Sequence, residues 1–399
     1  MSAPSRFPRP GMSSPIFGQD LPREEGHDRP AGVTIRANIR PPFVPMPPDI
    51  RTDPAIAAAG AEHPTVLASW TALVVRALDS AGFDGASMAV RAGIDPAVFE
   101  QPGRRIPLSA TTTLWELAVD ATGDPTFALS VARMVRPSTF AGLSMGMVTS
   151  SSLHNAFERL NRFQTVVLAP SGKMELTTDG DTYSWTNSFP DPIPAPNTTA
   201  MEALVASIVL CGRYLGGRSF APKGVRLMRD DQRHNEVFTK FFGCPVTYGS
   251  DDYRLDFELG LMTKPLQTGS PELARTADEL AMAMVRRLPS STGLVSRVRA
   301  LTLGLDVDGQ ADKTTIAAAL AMSTRTLQRR LADEGTTLVR VMTEVRRDRA
   351  SELLAAGSHT VAEVARQVGF QDPSSFRRAF KRWTGRTPAQ FAAERKRPT

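Results

Sequence analysis

The chain has 399 residues, 41% of them hydrophobic, enough for two domains with buried cores plus additional segments. Cys211 and Cys244 have no CxxC or histidine spacing, which argues against a disulfide framework or a metal site. No apolar run approaches the ~18 residues of a membrane span and no signal-peptide core opens the chain, so the expected location is cytoplasmic, with no membrane partner. The net charge of +6 is uneven: from Arg287 onward about 20 Lys/Arg face 11 Asp/Glu, leaving everything before slightly acidic. A basic C-terminal third fits phosphate binding better than a merely solvated tail.

Residues 1–62 are rich in proline, densest in PPFVPMPP (Pro41–Pro48), and lack apolar periodicity. Such a segment cannot bury enough surface to offset its ordering entropy, so a disordered extension is expected. A translation start at Met46 is an open alternative. From His63 to about Gly123 the spacing predicts helices, with Leu67, Trp70, Leu73, Val74 and Leu78 on one face and Leu114, Leu117 and Ala118 on another. Two short helices are expected around the turn Gly93–Ile94–Asp95–Pro96.

The middle is mixed. GKMELTTDG and DTYSWTNSF alternate about Asp179–Gly180–Asp181 and predict a hairpin. A long helix follows at about Thr198–Leu215, then a strand in GVRLMRD, a helix in HNEVFTKFFG, and strands in PVTYG and YRLDFEL. PELARTADELAMAMVRRL (Pro271–Leu288) predicts a linker helix with a stripe of Leu273, Ala277, Leu280, Met284 and Leu288, read as core packing or a short dimer seam.

Gly142–Leu143–Ser144–Met145–Gly146 spells G-x-S-x-G, the nucleophile-elbow pattern, with His234 and Asp230 or Asp231 as the available partners. No clean strand leads into it and no donor loop precedes it. Close helix packing is the simpler role for those glycines. No other motif for catalysis, a cofactor or a metal appears.

Two stretches near the C-terminus share one plan. Lys313–Gly335 places Ile316, Ala317 and Leu320 in one helix, Ser323 as a cap, then Leu327 and Leu331 inward with Arg325, Gln328 and Arg329 outward. Thr360–Gly385 opens with the capping box Thr360/Glu363, runs Val361, Val364 and Val368 along one side, and stops at Gly369. Asp372–Pro373 then starts a helix that buries Phe376, Phe380 and Trp383 and leaves Arg377, Arg378, Lys381 and Arg382 outside. Between them, Leu338 to about Ala355 reads as one amphipathic helix with Leu338, Met342, Val345, Leu353 and Leu354 inward. Such a rod could hold two recognition helices about one DNA turn apart, ~34 Å. Arginine suits bidentate contact with guanine, and glutamine with adenine.

The stretch from about Leu294 to Arg395, above all GFQDPSSFRRAFKRWTGRTPAQF (Gly369–Phe391) and ARQVGF (Ala365–Phe370), resembles the AraC/XylS family of bacterial transcription regulators. Arg346, Ala350 and Leu354 fit that family's connecting helix. Phe140–Phe163 and Phe241–Leu266 resemble the sensor domain of its ornithine-utilisation-regulator branch. The resemblance implies base-reading slots at Arg325, Gln328 and Arg329 in the first unit and at Pro373, Ser374 and Arg378 in the second. Pro373 departs from the polar residue usual there, which shifts the expected reading to Ser374, Ser375 and Arg378. Thr324, Arg330, Arg377, Lys381 and Arg382 are expected at the DNA backbone.

The expectation is thus an α+β N-terminal sensor domain (63–270), a linker helix (271–290) and an all-α C-terminal domain with two helix-turn-helix units (291–399). Its partners are double-stranded DNA, a small-molecule effector, RNA polymerase and a second copy of the chain, and it acts as an activator without cofactor or metal. Met145, Met147, Trp185 and Arg213 are effector-pocket candidates. A GxSxG esterase with a DNA-binding tail and a ligand-independent architectural DNA binder are the alternatives.

Overall fold

The computed structural model describes residues 64–101, 103–140, 142–169, 171–190, 195–217, 220–306, 311–356 and 359–395. The expected proline-rich extension, 1–62, lies outside the described residues.

In chain order the first elements are β1 (Thr65–Leu67), α1 (Ala68–Ser80), α2 (Gly85–Arg91), a 3-10 turn at Pro96–Glu100, β2 (Arg105–Pro107), α3 (Leu108–Thr122), α4 (Phe127–Ala132), α5 (Gly142–Val148) and α6 (Leu153–Phe163). Then come β3 (Leu168–Ala169), β4 (Lys173–Asp179), β5 (Thr182–Ser188), α7 (Thr198–Gly216), β6 (Gly224–Arg226), α8 (Asn235–Phe242), β7 (Val246–Thr247), β8 (Tyr253–Glu258) and α9 (Leu259–Thr263). The rest is helical: α10 (Pro271–Arg286), α11 (Leu294–Asp306), α12 (Lys313–Ala319), α13 (Thr324–Asp333), α14 (Leu338–Ala356), α15 (Val361–Gln367), α16 (Pro373–Thr384) and α17 (Pro388–Arg395).

The expected hairpin is present: β4 and β5 pair from Lys173↔Ser188 to Asp179↔Thr182, with Gly180 at φ +56° in the turn. β5 extends antiparallel onto β8, and the five-stranded sheet runs β4-β5-β8-β6-β7. A second sheet, β2-β1-β3, has strands of two or three residues, too short for a period-two pattern to register. Leu67, expected on a helical face, therefore closes β1. Arg105 clamps this sheet, donating to the Thr65 hydroxyl and to the carbonyls of Thr65, Val166 and Val167.

Two further expectations are corrected. α7 is 19 residues long and apolar enough to meet a membrane-span test of length and composition, although no such run was expected. It buries ten residues, including Glu202, which pairs with Arg229 at 2.9 Å, so it is the central core helix. In α10 the buried face is Ala274, Ala277, Ala281, Met282 and Val285, while Leu273 and Leu280 are 56% and 49% exposed. The cause is α5: a Cβ on Gly142 would lie 2.7 Å from the Ala281 nitrogen and 2.8 Å from the Ala277 carbonyl oxygen. Two backbones that close accept only small side chains between them, so the Leu280 side chain turns outward beside the contact. The GLSMG motif is thus one face of a helix packing, not a strand-to-helix elbow. Ser144 accepts the Phe140 amide at 3.1 Å, and Asp231 is engaged by Arg233 at 2.8 Å.

A continuous hydrophobic core runs from Val66 to Met342. A separate small core joins Ala350, Leu353 and Leu354 of α14 to Val364, Ala365, Val368, Phe376 and Phe380.

Candidate nucleic-acid interface

The first helix pair starts where Asp312 accepts the Thr314 and Thr315 amides at 2.8 and 2.7 Å. After α12 the chain reverses at Ala321, φ +54°, closed by the Met322 amide on the Ala317 carbonyl at 2.9 Å. Ser323 then caps α13 by accepting the Thr326 amide at 3.1 Å. Leu327 and Leu331 are fully buried and anchor α13. Thr324, Arg325, Gln328, Arg329 and Arg330 are all exposed, as expected.

α14 has 19 residues, which at ~1.5 Å per residue makes a rod of about 28 Å. Leu338, Met342, Val345, Leu353 and Leu354 are buried along it as expected.

The second pair opens with the expected capping box. Thr360 accepts the Glu363 amide, and the Glu363 carboxylate accepts the Thr360 amide at 2.7 Å. The Thr360 amide and the Thr360 hydroxyl, both donating to the Glu363 carboxylate, hold it below its ordinary pKa, the amide being the larger cause. Gly369, φ +77°, ends the helix, with the Phe370 amide returning to the Ala365 carbonyl at 2.8 Å. Asp372 caps α16 by accepting the amides of Ser374 and Ser375 at 3.1 and 2.8 Å, and Pro373 is the first helical residue. Phe376 and Phe380 are fully buried; Phe370, Trp383 and Phe391 pack around them. Ser374, Arg377, Arg378, Lys381 and Arg382 are exposed. Ser375 is half-buried and accepts Arg378 Nη2 at 3.3 Å, which steers the guanidinium along the helix face.

One bracing element lies outside the expectation. Asp306, at the end of α11 and 4% exposed, accepts two bonds from Arg346 of α14, Nη2 at 2.6 Å and Nε at 3.0 Å. Arg346 Nη2 also reaches the Ala311 carbonyl at 2.8 Å. Burial raises the Asp306 pKa, and the guanidinium partly offsets that. The pair sits directly beneath Gly369, so it ties α11, α14 and the second turn together. Asp306 carries no motif, and only the invitation of a glycine at position 369 marks the place in sequence.

The four effector candidates sit on α5, β5 and α7. Met145 is 43% exposed on α5 and Met147 is in the core. Trp185 is fully buried on β5 between Leu176 and Leu255, and its indole nitrogen has no hydrogen-bond partner among the described residues. Arg213 donates to the carbonyls of Phe220, Phe241 and Phe242, which fixes the C-terminal end of α8. A small cleft lies instead where α6, α11, α14 and α15 meet, lined by Asn161, Arg162, Leu303, Asp306, Val345 and Arg349 among others.

Residues 82–266 match the family model described as the arabinose-binding N-terminal domain of the AraC transcription regulator, and residues 316–394 match a helix-turn-helix domain model. The "Ornithine utilization regulator" of Pseudomonas aeruginosa is 25% identical over 300 residues, 75% of this chain and 88% of that protein. The "HTH-type transcriptional regulator VirS" of Mycobacterium tuberculosis is 25% identical over 307 residues, 76% of this chain and 89% of that protein. Among solved structures, the transcriptional regulator CdpR from Pseudomonas aeruginosa is 22% identical and aligns over 80% of this chain and 97% of its own, at a TM-score of 0.37. An arabinose-binding-type region followed by a helix-turn-helix region gives this chain the domain order of an AraC-type transcription regulator.

Proposed function

We propose that the chain is a sequence-specific, effector-responsive transcription regulator, in which residues 291–399 read double-stranded DNA, 63–270 bind a small molecule and self-associate, and 271–290 link the two. One observation carries the reading: α13 and α16, both capped and core-anchored, turn Arg325, Gln328, Arg329, Ser374 and Arg378 to solvent from the two ends of α14. Arg325, Gln328, Arg329, Arg378 and the two serines contact base edges; Thr324, Arg330, Arg377, Lys381 and Arg382 contact phosphates. The protein works in the cytoplasm on the nucleoid, as an activator that engages RNA polymerase.

Arg378→Ala is expected to cost ~1–3 kcal/mol at one operator position and relax discrimination there. Binding to a randomised operator library measures it. An equal loss on every sequence makes Arg378 a phosphate contact instead.

Effector binding acts by favouring one DNA-competent state over another. Trp185, whose buried indole N–H has no hydrogen-bond partner among the described residues, is the candidate best placed to touch the ligand. A metabolite that raises the melting temperature of the parent chain but not of Trp185→Phe supports this; a panel with no selective shift favours ligand-independent binding. Self-association uses the outward leucines of α10. Leu280→Glu is expected to lower the mass in sedimentation, and an unchanged mass removes α10 from the interface.

A further inference from the structure

We propose that His154, Glu158 and His359 bind a divalent transition-metal cation, zinc by donor type, across the seam between the sensor half and the second helix-turn-helix unit. His154 and Glu158 stand one turn apart on α6, and His359 immediately precedes the capping Thr360 of α15. Their candidate ligand atoms all lie within 4.8 Å of one another. The two imidazoles are 5.7 Å apart, centroid to centroid. Two imidazole nitrogens and one carboxylate oxygen are a common donor set for zinc. Around an ion at ~2.0–2.1 Å, tetrahedral donors sit roughly 3.3 Å apart, so side-chain rotation has to close the cluster by up to about 1.5 Å.

Two orphaned polar groups mark the same spot. His154 is 8% exposed, and its Nε2 has no hydrogen-bond partner among the described residues, lying 3.7 Å from Glu158 Oε1. The Tyr183 ring packs edge-on against His154 at 5.5 Å, and its fully buried hydroxyl is likewise without a partner there. Burying such groups unmet is destabilising. An ion on His154 Nε2, with the phenol hydrogen-bonding a ligand of that ion, meets both needs.

Arg349 is the objection, because it donates to Glu158 Oε1 at 2.8 Å and brings positive charge near the site. The same guanidinium is shared with Glu352 at 3.3 Å, so two carboxylates surround one cation. A carboxylate has two oxygens and can hold Arg349 and an ion together. Three protein donors leave a position for water or another oxygen or nitrogen ligand.

The test is independent of DNA binding. The full chain, stripped with a chelator, is titrated with zinc chloride by calorimetry and with cobalt chloride by visible absorption. The expected result is one ion per chain and a low-symmetry cobalt d–d spectrum. His359→Ala should weaken binding at least tenfold and abolish that spectrum. His359→Cys should restore binding and add a sulfur-to-cobalt charge-transfer band, which a loss of folding could not produce. No stoichiometric ion in the parent chain overturns the proposal. So does an ion that His359→Ala leaves unaffected, since that places it elsewhere, for example on His27 or His63.

Discussion

The two helix-turn-helix units make the same chain reversal with different residues in different surroundings. The first reverses at Ala321 with φ +54°, the second at Gly369 with φ +77°. Alanine in that region costs on the order of 1 kcal/mol, and the first unit tolerates it because its helices belong to the large core that continues into the N-terminal half. The second unit has a small aromatic core of its own and leans on the rest of the molecule through polar contacts: Asp306–Arg346 under the turn, and Glu158–Arg349–Glu352 at the seam. The lesson is that similar helix pairs need not be held with similar rigidity. Apolar burial fixes the first, whereas charge and hydrogen-bond geometry position the second.

The largest test of that contrast is Gly369→Ala. A Cβ there would stand 2.6 Å from Asp306 Oδ1 and 3.0 Å from Arg346 Nη2. Added to the positive φ, disturbing a buried bidentate pair should cost about 3–5 kcal/mol in urea unfolding. A loss below 1 kcal/mol would mean that the pair yields freely and is no brace.

Next in size is a pH effect confined to the second unit's seam. Burial pushes the Glu352 carboxyl up to about 7, with Arg349 opposing. The unfolded glutamate titrates at its ordinary, lower value, so the folded state keeps the proton longer. Stability is therefore fullest below that ordinary value and falls as pH rises through about 7. The Glu352 side chain is still 13% exposed, which limits the loss to on the order of 2 kcal/mol. Glu352→Gln should flatten the melting temperature between pH 5 and 7; an unaltered slope assigns the titration to other groups.

The smallest is Ala321→Gly. With no crowding carboxylate to displace, relief of the left-handed alanine should stabilise the first unit by about 0.5–1 kcal/mol, less the added freedom of the unfolded chain. A destabilised variant would show that Ala321 packs more than its turn demands.

How much of this was legible in the sequence follows from distance along the chain. The Thr360/Glu363 box, the Asp372–Pro373 start, the Ser323 cap and the Gly369 stop are all decided within four residues, and the structure has each. The hairpin at Gly180 and the inward face of α14 are periodic and were equally readable. What stayed hidden depends on partners far apart. The outward turn of Leu280 follows from Gly142, more than a hundred residues earlier, and Asp306 meets Arg346 forty residues on. His154 and His359 carry no joint spacing at all, because folding alone brings them to one seam.

Asp372 has a consequence for how the second reading helix can meet a duplex. Its carboxylate occupies the Ser374 and Ser375 amides, and Pro373 before them has no N–H to give. The positive pole of the helix, elsewhere a natural seat for a phosphate, is here spent internally and covered by negative charge. On the proposed reading, the phosphate contacts of α16 therefore fall to Arg377, Lys381 and Arg382 and not to its N-terminal amides.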